Sequence, residues 1–184
     1  MTEQTQSDLL LKSARLMVIL GQIIIMIASI GIAIGIGALL TVGRDEVYER
    51  IAKVGAPDVA YPLSILAFAL IIVMLQIGYR FLKNLGGIIA TVGEGDPFAL
   101  QNAERLNRMG WLTVAGHVLG IGLGAMAAWF MPYLVKLDGA KGHHGYDFGF
   151  DVGLGGILLT LILFILARVF REGAKMREEL EGTV

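Results

Sequence analysis

Four long stretches of this 184-residue chain contain no Asp, Glu, Lys or Arg, and they constrain its fold more than any other feature. A helix needs about 20 apolar residues to cross the hydrocarbon core of a bilayer. A chain of this size could not bury four such helices inside a soluble core. The sequence therefore predicts an all-α integral membrane four-helix bundle, with spans at about 16–42, 59–80, 110–135 and 152–170.

The composition agrees with a membrane protein and excludes several classes of function. Charged residues make up 17% of the chain, whereas soluble proteins average about 25%. The chain has no cysteine, which rules out disulfides, thiol catalysis and cysteine-based metal sites. Its net charge of −1 gives no field that would favour direct binding of nucleic acid. We expect residues 1–184 to form a single membrane domain whose first partner is the lipid bilayer.

The distribution of basic residues predicts the orientation of the chain. Ten of the 15 Lys and Arg residues lie in the N-terminal tail, in the loop between spans two and three, and after span four. The other two loops hold five. Cytoplasmic loops carry the excess of Lys and Arg, so we expect both termini and the middle loop to lie in the cytoplasm of a bacterial cell. The protein would then be a multi-pass protein of the bacterial inner membrane.

Small residues recur every four positions in two of the spans. They are Gly31 and Gly35 in the first span, and Gly116, Gly120, Gly124 and Ala128 in the third. Helices in lipid approach each other most closely where such residues line the contact. The spacing predicts a glycine-zipper crossing, either within the bundle or between the subunits of a homo-oligomer. The alternative is coincidence in a chain with 25 glycines.

Two polar segments flank the apolar stretches on the predicted cytoplasmic side. Asp96-Pro97 is a typical helix start, so we expect a short interfacial helix at about 97–109, lying on the membrane surface. Span two would continue towards it and end at Gly86-Gly87 or near Gly93. The tail after span four predicts a C-terminal helix extension. These segments either complete the fold or bind a partner, and the candidate partner-binding residues are Asp96, Pro97, Phe98, Asn102, Arg105, Arg108, Arg168, Arg171 and Arg177.

The same two segments resemble the two sequence motifs of a bacterial family of membrane proteins that carry a domain of unknown function. "GDPFALQNAERLNRMGW" is similar to the central motif at Gly95, Asp96, Pro97, Phe98, Asn102, Arg105, Leu106, Gly110 and Trp111, while Met109 stands where Ile is commoner. "VFREGAKMREELEGTV" is similar to the closing motif. Members are often encoded beside a small helix-turn-helix regulator of the Cro/C1 type. The resemblance implies a role in signalling, or in holding such a regulator at the membrane.

His117 is the one histidine inside a predicted span, and ionisable residues there are candidates for function. It could bind a proton, a haem or a quinone. The alternative is a neutral histidine that is hydrogen-bonded to a neighbouring side chain. A bis-histidine haem would need a second histidine at similar depth, which the sequence lacks, so we expect no cofactor.

The second outer loop carries His143, His144, Asp147 and Asp151 among several glycines. Imidazole nitrogens and carboxylate oxygens are ligands for zinc, copper and nickel. Adjacent histidines without a known ligand spacing are also common in solvated loops. Both interpretations of this loop remain open at the level of sequence.

Three functions are compatible with these features. The first is a non-enzymatic regulator or scaffold that engages a cytoplasmic partner such as a transcription regulator. The second is a small transporter for a molecule or ion that relies on His117, and the third is a metal-binding or metal-sensing protein built on the outer loop. Because the chain contains no P-loop, dinucleotide fingerprint or nucleophile–base arrangement, we do not expect it to be an enzyme.

Overall fold

The structure, a computed structural model, describes residues 2–41, 43–138 and 154–181. These residues form five helices and no strand, which confirms the predicted all-α class. The helices are α1 (Thr2–Thr41), α2 (Arg44–Lys53), α3 (Ala60–Gly93), α4 (Leu100–Asp138) and α5 (Leu154–Glu181).

Four of these helices are long and apolar enough to cross a membrane, namely α1, α3, α4 and α5. The shortest apolar segment among them has 27 residues, which is about 40 Å of helix and exceeds the ~30 Å hydrocarbon core. Large apolar side chains cover their outer surfaces, including Met17, Ile24 and Ile165, each more than half exposed. Exposed apolar surface of this extent is expected where lipid surrounds the helices. The chain is a multi-pass membrane protein.

The segment 97–109 differs from the predicted interfacial helix. The helix begins three residues later, at Leu100, and continues without interruption into the third span as part of α4. Asp96 lies four residues before this start and does not cap the helix, and its carboxylate pairs with Arg177 of α5. Residues 100–109 contain no Pro or Gly to break the helix before Gly110, so the polar segment extends the span.

The chain divides into two compact units. Unit 1 consists of Met1–Met26, Gln76–Gly116 and Gly153–Val184, and unit 2 consists of Ile27–Leu75 and His117–Val152. The core of unit 1 joins α3, α4 and α5. Its buried residues are Leu106, Met109, Leu163 and Ala167, with Phe81, Leu85, Ile88 and Phe170 packed against them.

In unit 1, α1 and α3 run antiparallel with glycines at their closest approaches. A Cβ atom on Gly21 would lie 2.9 Å from Leu82 Cδ1, and one on Gly86 would lie 3.2 Å from Val18 Cγ1. Each helix therefore inserts a side chain above a glycine of the other. Ile25 approaches Gly78 in the same register, so residues 18, 21 and 25 of α1 lie opposite residues 86, 82 and 78 of α3.

Unit 2 holds α2 against the start of α3 through aromatic contacts. The ring of Tyr61 is buried and stacks on Tyr48, with 4.7 Å between centroids. The Tyr61 hydroxyl donates a hydrogen bond of 3.0 Å to the carbonyl of Leu39. These contacts explain how a ten-residue helix with no buried residue of its own is positioned.

Candidate functional site

The turn between α3 and α4 occupies residues 94–99, and its backbone closes the end of α3. The amide of Asp96 donates a hydrogen bond of 3.0 Å to the carbonyl of Thr91, and the amide of Gly95 donates one of 3.1 Å to the carbonyl of Val92. Gly95 has a φ of +82°, a left-handed conformation that L side chains adopt only with strain. The sharpness of this turn therefore depends on the glycine at position 95.

Asn102 is fully buried, and it is the one buried polar side chain among the residues that the structure describes. Its Nδ2 group donates to Thr91 Oγ1 over 2.7 Å and to the carbonyl of Pro97 over 3.0 Å. Its Oδ1 atom accepts from Arg105 Nη1 over 2.9 Å. Burial of an amide is costly unless the amide is hydrogen-bonded. Asn102 therefore holds the turn against α3 and α4 in the arrangement that satisfies its hydrogen bonds.

The guanidinium of Arg105 lies against the backbone of α3. Arg105 Nη1 donates to the carbonyl of Gly87 over 2.8 Å, in addition to its bond with Asn102. A Cβ atom on Gly87 would lie 2.7 Å from Arg105 Nε and 2.8 Å from Cζ, so the planar group occupies the space that a side chain would fill. Thus the second glycine of the Gly86-Gly87 pair provides the space that Arg105 needs.

Two side chains of the turn reach α5. The ring of Phe98 fills the space that a side chain on Gly173 would need, because a Cβ atom on Gly173 would lie 2.8 Å from Phe98 Cδ1. The same ring contacts Phe170, with 5.4 Å between the ring centroids. The carboxylate of Asp96 accepts a hydrogen bond of 2.5 Å from Arg177 Nη1 in an ion pair. The two segments that resemble family motifs are therefore packed against each other.

The contact between the two segments continues along α4 and α5. Phe164 Cε1 lies 2.9 Å from the position that a Cβ on Gly110 would occupy. The ring of Trp111 meets the same phenylalanine edge to face, at 5.7 Å between centroids, and its outer surface stays exposed. Gly110 and Trp111 of the central motif therefore determine how closely α5 approaches α4.

We call the residues of this contact the turn cluster: Thr91, Asp96, Pro97, Phe98, Asn102, Arg105, Phe170, Gly173 and Arg177. Six of the nine predicted partner-binding residues belong to it, and each of the six makes contacts within the protein, although Asp96, Phe98 and Arg177 stay about half exposed. The remaining three are exposed. Arg108 pairs with Glu104 over 3.4 Å, whereas Arg168 and Arg171 have no ion pair among the described residues.

A groove of about 370 Å³ opens beside the turn cluster. Its walls carry one exposed apolar side chain from the turn, one from the start of α4, and a small residue and four charged side chains from α5: Phe98, Leu100, Ala174, Arg171, Lys175, Arg177 and Glu178. Lys175 is paired with Glu172 and Arg177 with Asp96, so Arg171 is the cation in the groove that is not neutralised by the described residues. The groove therefore combines apolar area with one cation, Arg171, and one carboxylate, Glu178, that have no ion pair among the described residues.

The other predicted sites do not join the turn cluster. His117 belongs to unit 2, is half-buried in α4 and takes part in an interaction within the chain. Gly116 and Gly120 are buried, but a Cβ on Gly31, Gly35 or Gly124 would meet no described atom within 4 Å, and Ala128 is exposed. These latter positions therefore form no close crossing within the described chain, and a crossing between subunits stays a prediction.

The predicted metal ligands His143, His144, Asp147 and Asp151 lie outside the described residues. Within the described ranges, no group of three or more His, Asp and Glu side chains is placed to share a metal ion. The metal-binding hypothesis for this loop therefore stays a prediction.

Several residues of the site were not singled out by the sequence interpretation. Thr91, Gly87, Phe164 and Gly173 contact residues of the site that belong to other helices or to the turn, and helical periodicity carries no information about such partners. Gly86-Gly87 did give a signal, because two glycines inside a helical segment are unfavourable unless packing requires them. Of the two predicted ends for span two, Gly93 is where α3 ends, whereas Gly86-Gly87 marks two close helix contacts.

Comparison with known protein families gives a match over most of the chain. A family model described as "Protein of unknown function (DUF2975)" matches residues 39–184, more than half of the chain and including the whole turn cluster. No curated protein and no solved structure matches the chain.

Proposed function

The chain belongs to the DUF2975 family, and we propose that it is a non-enzymatic membrane regulator or scaffold that presents the groove beside the turn cluster to a cytoplasmic partner. The observation that carries the proposal is the combination of a turn fixed by hydrogen bonds and, next to it, an exposed surface that joins apolar side chains to the cation of Arg171. The partner would be a protein of the inner face of a bacterial membrane, such as a helix-turn-helix transcription regulator.

The geometry of the turn cluster supports a scaffold more than a catalyst. The polar groups of Asn102, Arg105 and Thr91 are bonded to one another and to backbone carbonyls. They hold Phe98 and Leu100 at a fixed position beside α5, so the groove is preorganised for binding. Preorganisation reduces the conformational entropy that a complex must lose when it forms.

One cation in the groove, Arg171, supports a partner with an acidic group. Arg171 has no carboxylate partner among the described residues, and Phe98 and Leu100 expose about half of their surface. An acidic segment with an apolar anchor would satisfy both features, because a surface cation mainly gives specificity and a buried apolar side chain gives affinity. The regulator would be kept at the membrane while it is bound and released when the groove is closed or occupied.

Site-directed photocrosslinking in intact cells tests this proposal. A photoreactive phenylalanine analogue is placed at Leu100, which lines the groove, or at the adjacent exposed Gln101, which does not. We expect a crosslinked regulator from position 100 only, and we expect Arg171→Glu to abolish it while leaving protein abundance unchanged. The regulator's target genes should respond to Arg171→Glu as they do to deletion of the whole chain.

Two results would contradict the proposal. One is equal crosslinking from positions 100 and 101, which would indicate random collision. The other is a regulator output that is identical with and without the chain. Accessibility of a tag beside Pro97 from the periplasm would also remove its basis, since the turn would then face the wrong side of the membrane.

A further inference from the structure

Arg80 and Lys83 form a pair of cations on α3 that no part of the turn cluster uses. They lie three residues apart on one face of the helix, and both are exposed. Neither makes an ion pair or a side-chain hydrogen bond with any described residue. Arg50 and Lys53 of α2 have the same spacing but are neutralised by Glu46 over 2.7 Å and Glu49 over 3.9 Å.

The contacts between α1 and α3 give the depth of this pair. Leu82 lies opposite Gly21 and Gly78 lies opposite Ile25, so Arg80 is level with about residue 23 of α1. The uncharged stretch of α1 begins at Leu16, seven residues before this level. Along the helix axis, Arg80 is therefore level with a point about 10 Å past the start of that stretch. The neighbouring surface of α1 at this level carries the exposed side chains of Leu20 and Ile23. The two cations therefore lie beside an apolar surface that acyl chains cover.

Trp111 marks the same level on α4. Hydrogen bonds join Asn102 to Thr91 and Arg105 to Gly87. The next turns of α4 pack against Phe81 in the core of unit 1. Trp111 is therefore level with residues 81–82 of α3. Its ring is more than half exposed. Exposed Trp is enriched where acyl chains meet headgroups. Arg80 and Lys83 then lie at the boundary between acyl chains and headgroups, where their long side chains can extend to the lipid phosphates.

We propose that the face of α3 formed by Gln76, Arg80 and Lys83 binds the headgroup of an anionic phospholipid. Side chains three residues apart on a helix start about 5–6 Å from each other, so both cations reach one phosphodiester. The guanidinium of Arg80 can give two parallel hydrogen bonds to phosphate oxygens, and the ammonium of Lys83 adds a point charge. Gln76 lies one turn further along the exposed face, has no described hydrogen-bond partner and offers an amide to the glycerol or ester oxygens.

Charge complementarity and location identify the occupant as lipid. An unpaired cation next to hydrocarbon is unfavourable, and it must either extend towards water or take an anion. The phosphate of a lipid is held at this level by its own acyl chains, whereas a soluble anion would have to enter from water. A headgroup with a net negative charge is favoured over a zwitterionic one, because its phosphate is not already neutralised. This inference does not depend on the proposed function.

Native mass spectrometry of the full chain, purified in a neutral detergent, tests the inference. Phosphatidylglycerol and phosphatidylcholine are titrated separately, and the lipids bound per chain are counted. We expect wild-type protein to retain at least one more phosphatidylglycerol than the Arg80→Gln/Lys83→Gln variant, and to bind it roughly 20-fold more tightly, since each cation near an anionic surface contributes about a fivefold factor. The matched control, Arg50→Gln/Lys53→Gln, removes two cations of the same spacing and should bind phosphatidylglycerol as wild type does.

Three results would overturn the inference. The first is equal retention of phosphatidylglycerol by the Arg80→Gln/Lys83→Gln variant and wild type. The second is displacement of phosphatidylglycerol by soluble glycerol phosphate at equal concentration, which would indicate an ordinary anion site. The third is loss of binding in the charge-preserving Arg80→Lys/Lys83→Arg variant, which also decides the matter if the neutral variant fails to fold.

Discussion

Replacement of Asn102 by Ala removes the centre of the turn cluster and should strongly destabilise the protein. The substitution deletes the bonds from Nδ2 to Thr91 and to the Pro97 carbonyl, and the bond that Oδ1 accepts from Arg105. A neutral hydrogen bond contributes about 1 kcal/mol net and one to a charged group about 1.5–3 kcal/mol. Because Thr91 and Arg105 keep bonds to α3 carbonyls, the losses are not fully additive. We expect a loss of about 2–4 kcal/mol in the free energy of unfolding.

Reversible unfolding of the purified protein in mixed micelles, with increasing sodium dodecyl sulfate, measures this loss. Asn84→Ala is the matched control, because Asn84 donates only to the carbonyl of Arg80 in its own helix. That bond is local and partly exposed to solvent, so the control should change stability by less than about 0.5 kcal/mol. Equal effects of the two substitutions would refute the assignment of Asn102 as the residue that fixes the turn.

Three further substitutions test other parts of the site. Gly87→Ala should displace the Arg105 guanidinium that packs on Gly87, and we expect a loss of about 1–2 kcal/mol in the free energy of unfolding in the same assay. The control is Gly122→Ala, which has no described atom within 4 Å of the new Cβ and should be neutral or slightly stabilising. Gly95→Ala places a side chain at a φ of +82° and should cost about 1–2 kcal/mol, with increased protease cleavage at the turn as an independent measurement. Arg177→Met breaks an ion pair with Asp96 whose two side chains are about half exposed, so it should cost no more than about 1 kcal/mol, and the difference from wild type should shrink as salt is added.

The sequence predicts the helical class and the four spans because both depend on local composition. A run of uncharged apolar residues needs no knowledge of its neighbours to be placed in lipid. The continuation of α3 to Gly93 and the helix after span four follow from the same kind of information.

The start of α4 could not be placed from the sequence, because it depends on a distant residue. Asp96-Pro97 is a typical helix start, but α4 begins only at Leu100, and the carboxylate of Asp96 pairs with Arg177 of α5. The contacts within the site depend on the fold in the same way. Phe98 packs on Gly173, and only the fold brings these two residues together, while its predicted role in binding another protein stays a prediction.

The ion pair between Asp96 and Arg177 joins residues that are 81 positions apart, which has a consequence for biosynthesis. The ribosome has completed the first three spans before it makes the helix that covers Phe98, Leu106 and Met109. Until α5 emerges, these apolar side chains lack the surface they pack on, and a chain shortened within α5 would leave them uncovered permanently. Cellular quality control, which recognises uncovered apolar surface, should therefore remove C-terminally truncated chains while tolerating changes of similar size at the N-terminal tail.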